Sequence, residues 1–139
     1  MKKVIITVSA IVLSMNIASA QHLKEEKVPA AVKESVKKEF PTAKVKGWEM
    51  EGANYEAEFV LNKVETSVLV DASGKILETE SEIATTALPK AVNDYLAKNH
   101  KGEKIKEAAK IVMADGKVKY EAEIKGKDLL FDESGTLIN

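Results

Sequence analysis

Residues 55–59 read Tyr-Glu-Ala-Glu-Phe, and residues 120–124 read Tyr-Glu-Ala-Glu-Ile. In both stretches apolar and acidic side chains alternate, which is typical of a strand with one buried face and one face in water. In the first stretch the two rings and the alanine share the buried side, and Glu56 and Glu58 share the other. Two copies of the same alternating strand predict that the chain repeats one structural unit.

Three further matches occur in the same order along the chain. They pair residues 28–32 (Val-Pro-Ala-Ala-Val) with 88–92 (Leu-Pro-Lys-Ala-Val), 44–46 (Lys-Val-Lys) with 104–106 (Lys-Ile-Lys), and 71–74 (Asp-Ala-Ser-Gly) with 132–135 (Asp-Glu-Ser-Gly). We therefore predict a single domain over residues 21–139, built of two repeats at about 24–83 and 84–139.

Each repeat opens with an amphipathic helix. Apolar residues recur every four positions over 28–40 and again over 88–96, with lysines and acids between them. This spacing places one apolar stripe on each helix. Pro29 and Pro89 fall in the first turn, where a missing N–H has no cost. The two threonines at 85–86 are candidate caps for the second helix.

The rest of each repeat is a series of short strands separated by turn residues. The pattern predicts an α+β fold made of two tandem helix-plus-antiparallel-meander units, which can share one sheet of up to eight strands with both helices on one face. The predicted strands are 45–50, 55–61, 64–71, 76–80, 105–113, 118–124, 128–132 and 137–138.

The N-terminus is typical of a secretory signal peptide. Lys2 and Lys3 precede an apolar stretch over 4–13, and Ala18-Ser19-Ala20 supplies the small residues that a signal peptidase requires. We predict cleavage after Ala20 and a periplasmic or secreted protein with no membrane span after cleavage. No cysteine follows the cleavage site, so a lipoprotein is not expected.

Composition excludes several classes of function. The 139 residues include 21 lysines, no arginine, no cysteine and 22 acids, for a net charge of −1. A disulfide scaffold, a thiolate zinc site, a cysteine nucleophile and a basic nucleic-acid binder are therefore excluded. We expect no nucleic-acid partner.

Catalytic and metal sites are not expected either. His22 lies near the mature N-terminus, and His100 lies at a helix end, where a half-buried imidazole is the simplest interpretation. Asp71 begins a stretch that is similar to a calcium loop, but Ile76 stands where that loop has its glycine and Lys75 occupies a ligand position, so we predict a hairpin turn. The sequence therefore predicts no catalytic residue, no metal and no cofactor.

A helix that opens with an apolar-Pro pair, a Tyr-x-Ala-x-apolar strand and an Asp-x-Ser-Gly turn together resemble the PepSY-like family of exported bacterial proteins, also described as beta-lactamase-inhibitor-protein-like. The resemblance covers nearly the whole mature chain as two tandem copies. It implies a helix-backed antiparallel sheet whose exposed face can receive a partner, and it implies protein binding or modulation of a peptidase.

Four carboxyl groups are candidates for contacting that partner: Glu56, Glu58, Glu121 and Glu123. Each pair lies two residues apart on one strand, so its members share the face expected to be solvated. This face offers carboxylates rather than aromatic anchors, so inhibition of a beta-lactamase is not expected.

Trp48 and Met50 are further candidates, and two placements are open to them. In a regular strand they face water, where Trp48 is the best candidate for an anchor residue. A bulge at Gly47 turns them into the core instead.

We therefore expect an exported, non-enzymatic binding module that recognises a protein or peptide of the cell envelope through the sheet face or an edge. The alternative is a carrier or sensor for a small apolar ligand held between the helices and the sheet.

Overall fold

The computed structural model describes residues 21–138, and the predicted signal peptide (residues 1–20) lies outside them. Two α-helices, α1 (Ala30–Glu39) and α2 (Lys90–Asn99), each follow a short 3-10 turn, at Glu25–Lys27 and Thr85–Ala87. The strands of this part of the chain are β1 (Gln21–Leu23), β2 (Val45–Glu51), β3 (Asn54–Leu61), β4 (Val64–Val70), β5 (Ile76–Glu82), β6 (Ile105–Met113), β7 (Val118–Ile124) and β8 (Lys127–Asp132).

All eight strands form one antiparallel sheet in which each strand pairs with the next one in the chain. The two repeats meet where β5 pairs with β6, and the N–H of Ile83 continues this pairing by donating to the carbonyl of Ala108. Both helices pack on the same face of the sheet. The predicted α+β class, with tandem helix-and-meander units that share one sheet, is confirmed.

The strands are divided five and three between the two halves. β1 precedes the first helix and pairs with residues 48–50 of β2. The sequence predicts no strand there, because three residues are too few to show a period. The strand predicted at 137–138 forms only a single bridge, between Leu137 and Phe131.

Each helix begins directly after a proline, and the carbonyls of Pro29 and Pro89 accept hydrogen bonds from the N–H groups of Lys33 and Asn93. The fixed φ of proline suits this position. Thr85 begins the 3-10 turn instead, and no side chain caps α2. The expectation that the threonines at 85–86 cap this helix is therefore wrong.

Two clusters of buried apolar side chains join the helices to the sheet, one in each repeat. Each contains an aromatic pair, with ring centroids 5.0 Å apart for Phe40 and Phe59 and 5.3 Å apart for Tyr95 and Phe131. The buried members are Val28, Val32, Val36, Trp48, Ala57, Phe59, Val68 and Val70 in the first cluster, and Leu88, Val92, Leu96, Ala108, Ala122, Ile124 and Phe131 in the second.

β2 and β6 carry irregularities at equivalent positions, residues 45–47 and 105–107. A bulge adds one residue, so the residues that follow it face the other side of the sheet. Trp48 therefore lies opposite Ala57 on the helix side and is only 6 % exposed. Met50 has the same parity, so the water-facing placement of Trp48 and Met50 is corrected.

The Asp-x-Ser-Gly stretches form hairpin turns, as predicted. The Oδ1 atom of Asp71 accepts hydrogen bonds from the N–H groups of Ser73 (2.8 Å) and Lys75 (3.0 Å). Asp132 repeats this arrangement in the second half of the chain. The carboxylate thus supplies the acceptor that closes each turn.

Candidate binding face

The side of the sheet that points away from α1 and α2 is termed the open face. Strand register places at least one carboxyl side chain on this face from every strand between β2 and β8. These residues are Glu49, Glu51, Glu56, Glu58, Glu65, Glu78, Glu80, Glu82, Glu107, Glu121, Glu123, Asp128 and Asp132.

Several of these carboxyls lie directly opposite one another on adjacent strands. Glu49 faces Glu56 between β2 and β3, and Glu123 faces both Glu107 on β6 and Asp128 on β8. Like charges at directly opposed positions destabilise a sheet. Lys106 lies within 3.6 Å of both Glu107 and Glu123 and offsets the repulsion between these two.

The middle of the open face is buried, contrary to the expectation of a solvated face. Glu56 is 4 % exposed and Glu121 is 9 % exposed. Ser67, on the next strand from Glu56, is also buried, and its side chain hydrogen-bonds to Glu56. Alternation identifies which side chains point away from the helices, but it does not report how closely their neighbours cover them.

Burial changes the ionisation of Glu56. Loss of solvent raises its pKa to about 8, against the opposing effect of the hydrogen bond with Ser67. The negative charges of Glu51, Glu80 and Glu58 also contribute to this value, less than burial does. Glu56 is therefore largely protonated at neutral pH.

Glu121 in the second repeat behaves in the same way. Burial is the largest cause that raises its pKa to about 9, followed by the charges of Glu80, Asp128, Glu123 and Glu78. The two positions are equivalent in the repeat, so each half of the sheet contributes one buried, protonated carboxyl to the open face.

Carboxyls on distant strands also influence one another. Burial and then Glu78 raise the pKa of Glu51 to about 7. Burial, then Glu78 and then Asp128 are the leading causes that raise the pKa of Glu80 to about 7. Glu51 and Glu78 lie three strands apart, as do Glu80 and Asp128, which is roughly 14 Å across a flat sheet. We call the carboxyls that are linked by these influences, Glu51, Glu56, Glu78, Glu80, Glu121 and Asp128, the acidic centre.

Cations of the open face lie mainly at its rim. Lys46 Nζ is 2.9 Å from a carboxylate oxygen of Glu65, and Lys106 Nζ is 3.1 Å from one of Glu123. Both lysines occupy the bulge positions and are more than half exposed. Lys119, opposite Ile111, lowers the pKa of Glu78 without reversing the effect of burial.

Apolar side chains alternate with the carboxyls. Ile111 and Leu130 are buried on this face, and Leu69 and Met113 are half-buried. All aromatic rings of the chain belong to α1, α2 or the helix side of the sheet. The expectation that the face offers no aromatic anchor is confirmed.

Histidines lie away from the acidic centre. His100 ends α2, is half-buried and lies 3.1 Å from Glu103, as the helix-end interpretation predicts. His22 on β1 is exposed and contacts Glu49 at the sheet edge. Within residues 21–138, no group of three or more His, Asp or Glu side chains is arranged to hold a metal ion.

The fold is thus a helix-backed antiparallel sheet whose open face is lined by carboxyl groups. The family model described as "Putative beta-lactamase-inhibitor-like, PepSY-like" matches residues 15–78 and 53–139. The chain belongs to this family. The two matches overlap within the first meander.

Solved structures share the fold. A chain from Bacteroides eggerthii described as a "putative periplasmic" protein is 21 % identical, with a TM-score of 0.73 over 81 % of this chain and 86 % of that one. A BLIP-like protein from Bacteroides fragilis is 25 % identical, with a TM-score of 0.63 over 80 % of this chain and 84 % of that one. A comparison with curated proteins gave no match.

Localisation is addressed by the neighbours and by hydropathy. The structurally similar protein from Bacteroides eggerthii is described as periplasmic. Among residues 21–138, neither helix combines the length and the apolar character needed to cross a membrane.

Proposed function

We propose that the chain is an exported, non-enzymatic binding module whose open face contacts a protein or peptide of the cell envelope. The proposal is supported by the directly opposed, partly buried carboxyls on the sheet face that the two helices leave uncovered. A surface that costs stability is expected where function requires it. Glu56, Glu58, Glu121 and Glu123 lie on this face, and its candidate contact residues are the half-buried Glu58 and Glu123, since Glu56 and Glu121 are buried.

The observations favour the open face over the space between helices and sheet as the binding region. Val32, Phe59 and Val68 fill that space in the first repeat and are fully buried. Modulation of a peptidase, which the family resemblance implies, is one form that binding at the open face can take. A panel of envelope peptidases, assayed with and without the protein, tests this form directly.

Site-specific photo-crosslinking in the native host tests the proposal. A photoreactive amino acid at Val60 or Met113 reports on the open face, and the same residue at Lys37 or Glu34 reports on α1. We expect the open-face positions to yield a discrete crosslinked polypeptide that the helix positions do not yield. Equal crosslinking from both surfaces, or none from the open face, would contradict the proposal.

A further inference from the structure

We propose that Gln21 is a modification site, at which the mature N-terminus closes to pyroglutamate and protects strand β1. This inference goes beyond the proposed function, and it does not depend on what the open face binds. It rests on the predicted cleavage after Ala20, which leaves Gln21 as the first residue of the mature chain.

The reaction needs only the atoms of the N-terminal residue. A glutamine at this position holds a primary amine and a side-chain amide close to each other. The lone pair of the amine attacks Cδ, and the new bond between the two atoms closes a lactam ring. The bond from Cδ to the side-chain nitrogen breaks, and this nitrogen takes the proton that the amine loses and leaves as ammonia. No oxidant, reductant or second substrate is consumed.

The placement of Gln21 allows this ring to form without loss of the strand. Gln21 is exposed and is the first residue of β1, where it lies opposite Met50 at the edge of the sheet. A ring that fixes φ is tolerated at the first position of an edge strand, as it is for proline. Pyroglutamate keeps both an N–H and a carbonyl, so the modified residue retains the groups with which a strand pairs.

β1 is the part of the fold that the ring protects. It has three residues and pairs with β2 from Trp48 to Met50. Leu23, its last residue, packs against the first cluster of buried apolar side chains. An aminopeptidase that removes three residues from the mature N-terminus therefore removes the whole strand, uncovers the edge of β2 and takes Leu23 from the core. A lactam has no free amine for such an enzyme to bind, so ring closure blocks this route.

The second repeat shows why the first one needs this protection. Its equivalent strand is β5, after which Ile83 bonds to Ala108 as Leu23 pairs with Trp48 sixty residues earlier. β5 has seven residues and follows β4 through a turn, so neither of its ends is a chain terminus. β1 begins at the terminus itself once the predicted cleavage has taken place. The first repeat therefore depends on an intact N-terminus, whereas the second does not.

Mass spectrometry of the mature protein tests the site. The full chain is expressed in its native host with its own signal peptide and purified from the cell envelope. We expect an intact mass that corresponds to a chain beginning at Gln21 and lacking one ammonia, and sequencing of the N-terminal peptide should place this loss at the first residue. The intact mass is read before digestion, so that ring closure during digestion is not counted. A free glutamine would overturn the inference, and so would a chain that begins at any other residue.

Gln21→Asn is the matched control. Asparagine carries the same amide on a side chain that is one methylene shorter, so the corresponding lactam is strained and does not form. We expect this variant to be cleaved at the same position and to keep a free N-terminal amine, which an amine-reactive label followed by mass spectrometry detects. Labelling of the N-terminal amine in the unsubstituted protein as well would contradict ring closure.

Incubation of both proteins with an aminopeptidase of broad specificity tests the role of the ring. We expect the unsubstituted protein to keep its first residue and Gln21→Asn to lose residues 21–23. Loss of β1 and of Leu23 from the core should lower the unfolding temperature of the digested variant by about 5 °C. Equal resistance of the two proteins would show that pairing with β2 protects the N-terminus without the ring, and it would overturn the protective role.

Discussion

The hydroxyl of Ser35 on α1 donates a hydrogen bond of 2.5 Å to the backbone carbonyl of Gly74, in the turn between β4 and β5. The turn is thereby held against the helix. In the second repeat Gly135 lies equally close to α2, next to Ala91. The repeated Asp-x-Ser-Gly stretch thus does more than reverse the chain, because it also positions each helix over the sheet.

Replacement of Gly74 or Gly135 by alanine is expected to destabilise the protein strongly. Both glycines have positive φ, of +90° and +81°. A Cβ at Gly74 would lie 2.8 Å from the carbonyl oxygen of Ala31, and one at Gly135 would lie 2.5 Å from the Cβ of Ala91. Backbone strain and overlap together predict a loss of about 2–5 kcal/mol in the free energy of unfolding, measured by urea denaturation.

Gly126→Ala is the matched control for these variants. Gly126 also has positive φ, of +73°, but a Cβ there would meet nothing within 4 Å. The free energy of unfolding of Gly126→Ala should therefore fall by only about 1–2 kcal/mol, which is the cost of the left-handed conformation. A loss at Gly74 no larger than that at Gly126 would show that contact with the helix contributes nothing.

Deletion of Lys46 tests the role of the bulge in β2. Without this residue Val45 and Trp48 are two positions apart, so a regular strand places both on the helix side. We therefore expect the core to survive the deletion, with a loss in the free energy of unfolding no larger than that of an exposed substitution. The fluorescence of Trp48, the one tryptophan of the chain, should stay at the wavelength of a buried ring.

Lys46→Ala serves as the control, because it keeps the number of residues and removes only an exposed ion pair with Glu65. Its effect should be within about 1 kcal/mol. If the deletion destabilises the protein far more than the substitution does, or shifts the fluorescence of Trp48 to longer wavelength, the bulge does more than absorb one extra residue.

Much of the fold can be predicted from the sequence because the same pattern of apolar, turn and charged residues occurs twice in the chain. Helices recur sixty residues apart, and strands fall within a few residues of their predicted bounds. The repeat also contains the information that places Trp48 in the core. Val45 and Trp48 are three residues apart, as are Ile105 and Ala108. Two core residues that are three positions apart in a strand require a bulge between them. In the second copy Ala108 takes the place of Trp48, and an alanine there gives no reason to expect a residue that faces water.

The buried carboxyls of the candidate face could not be predicted in the same way. Period-2 alternation identifies Glu56 and Glu121 as pointing away from the helices, and this is correct. Their burial depends on which strands flank them and on residues far away in sequence, such as Ser67 and Leu130. Pairing of β5 with β6 brings the two acidic halves together, and no local pattern encodes that contact.

Stability should fall as the pH rises from about 5 to about 9, because Glu56 and Glu121 bind protons more tightly in the folded chain than in the unfolded chain. Their pKa values of about 8 and about 9 lie above the ordinary value of 4.5. The stabilisation that comes from protonating these two carboxyls is therefore complete below about pH 4.5, and it is lost as the pH rises through their folded pKa values. Each additional proton held by the folded state contributes a slope of about −1.4 kcal/mol per pH unit.

Glu56→Gln and Glu121→Gln should raise the unfolding temperature at alkaline pH and flatten its pH dependence, since glutamine has no charge to bury. Glu82→Gln, at an exposed position at the end of β5, removes the same charge without the burial. An unfolding temperature that is independent of pH over this range, or that responds equally to all three substitutions, would contradict burial of these carboxyls.

The turn carboxylates produce the opposite dependence at acid pH. Hydrogen bonds from the hydroxyl of Ser73 and the N–H of Lys75 are the leading causes that lower the pKa of Asp71, and Ser134 and Thr136 do the same for Asp132. A carboxyl whose pKa is lower in the folded chain than in the unfolded chain stabilises the fold at any pH above its unfolded pKa. This stabilisation is lost as the pH falls through the folded pKa.

The unfolding temperature should therefore decline as the pH falls below the ordinary aspartate value of 3.8. Asp71→Asn combined with Asp132→Asn keeps an oxygen acceptor in each turn but removes its charge. We expect the double variant to have a lower unfolding temperature than the unsubstituted protein at neutral pH, and the two unfolding temperatures to become equal in acid. Glu133→Gln, an exposed neighbour in the second turn, should follow the unsubstituted protein at every pH. Parallel melting curves for the double variant and the unsubstituted protein would show that the charge of these turns does not stabilise the fold.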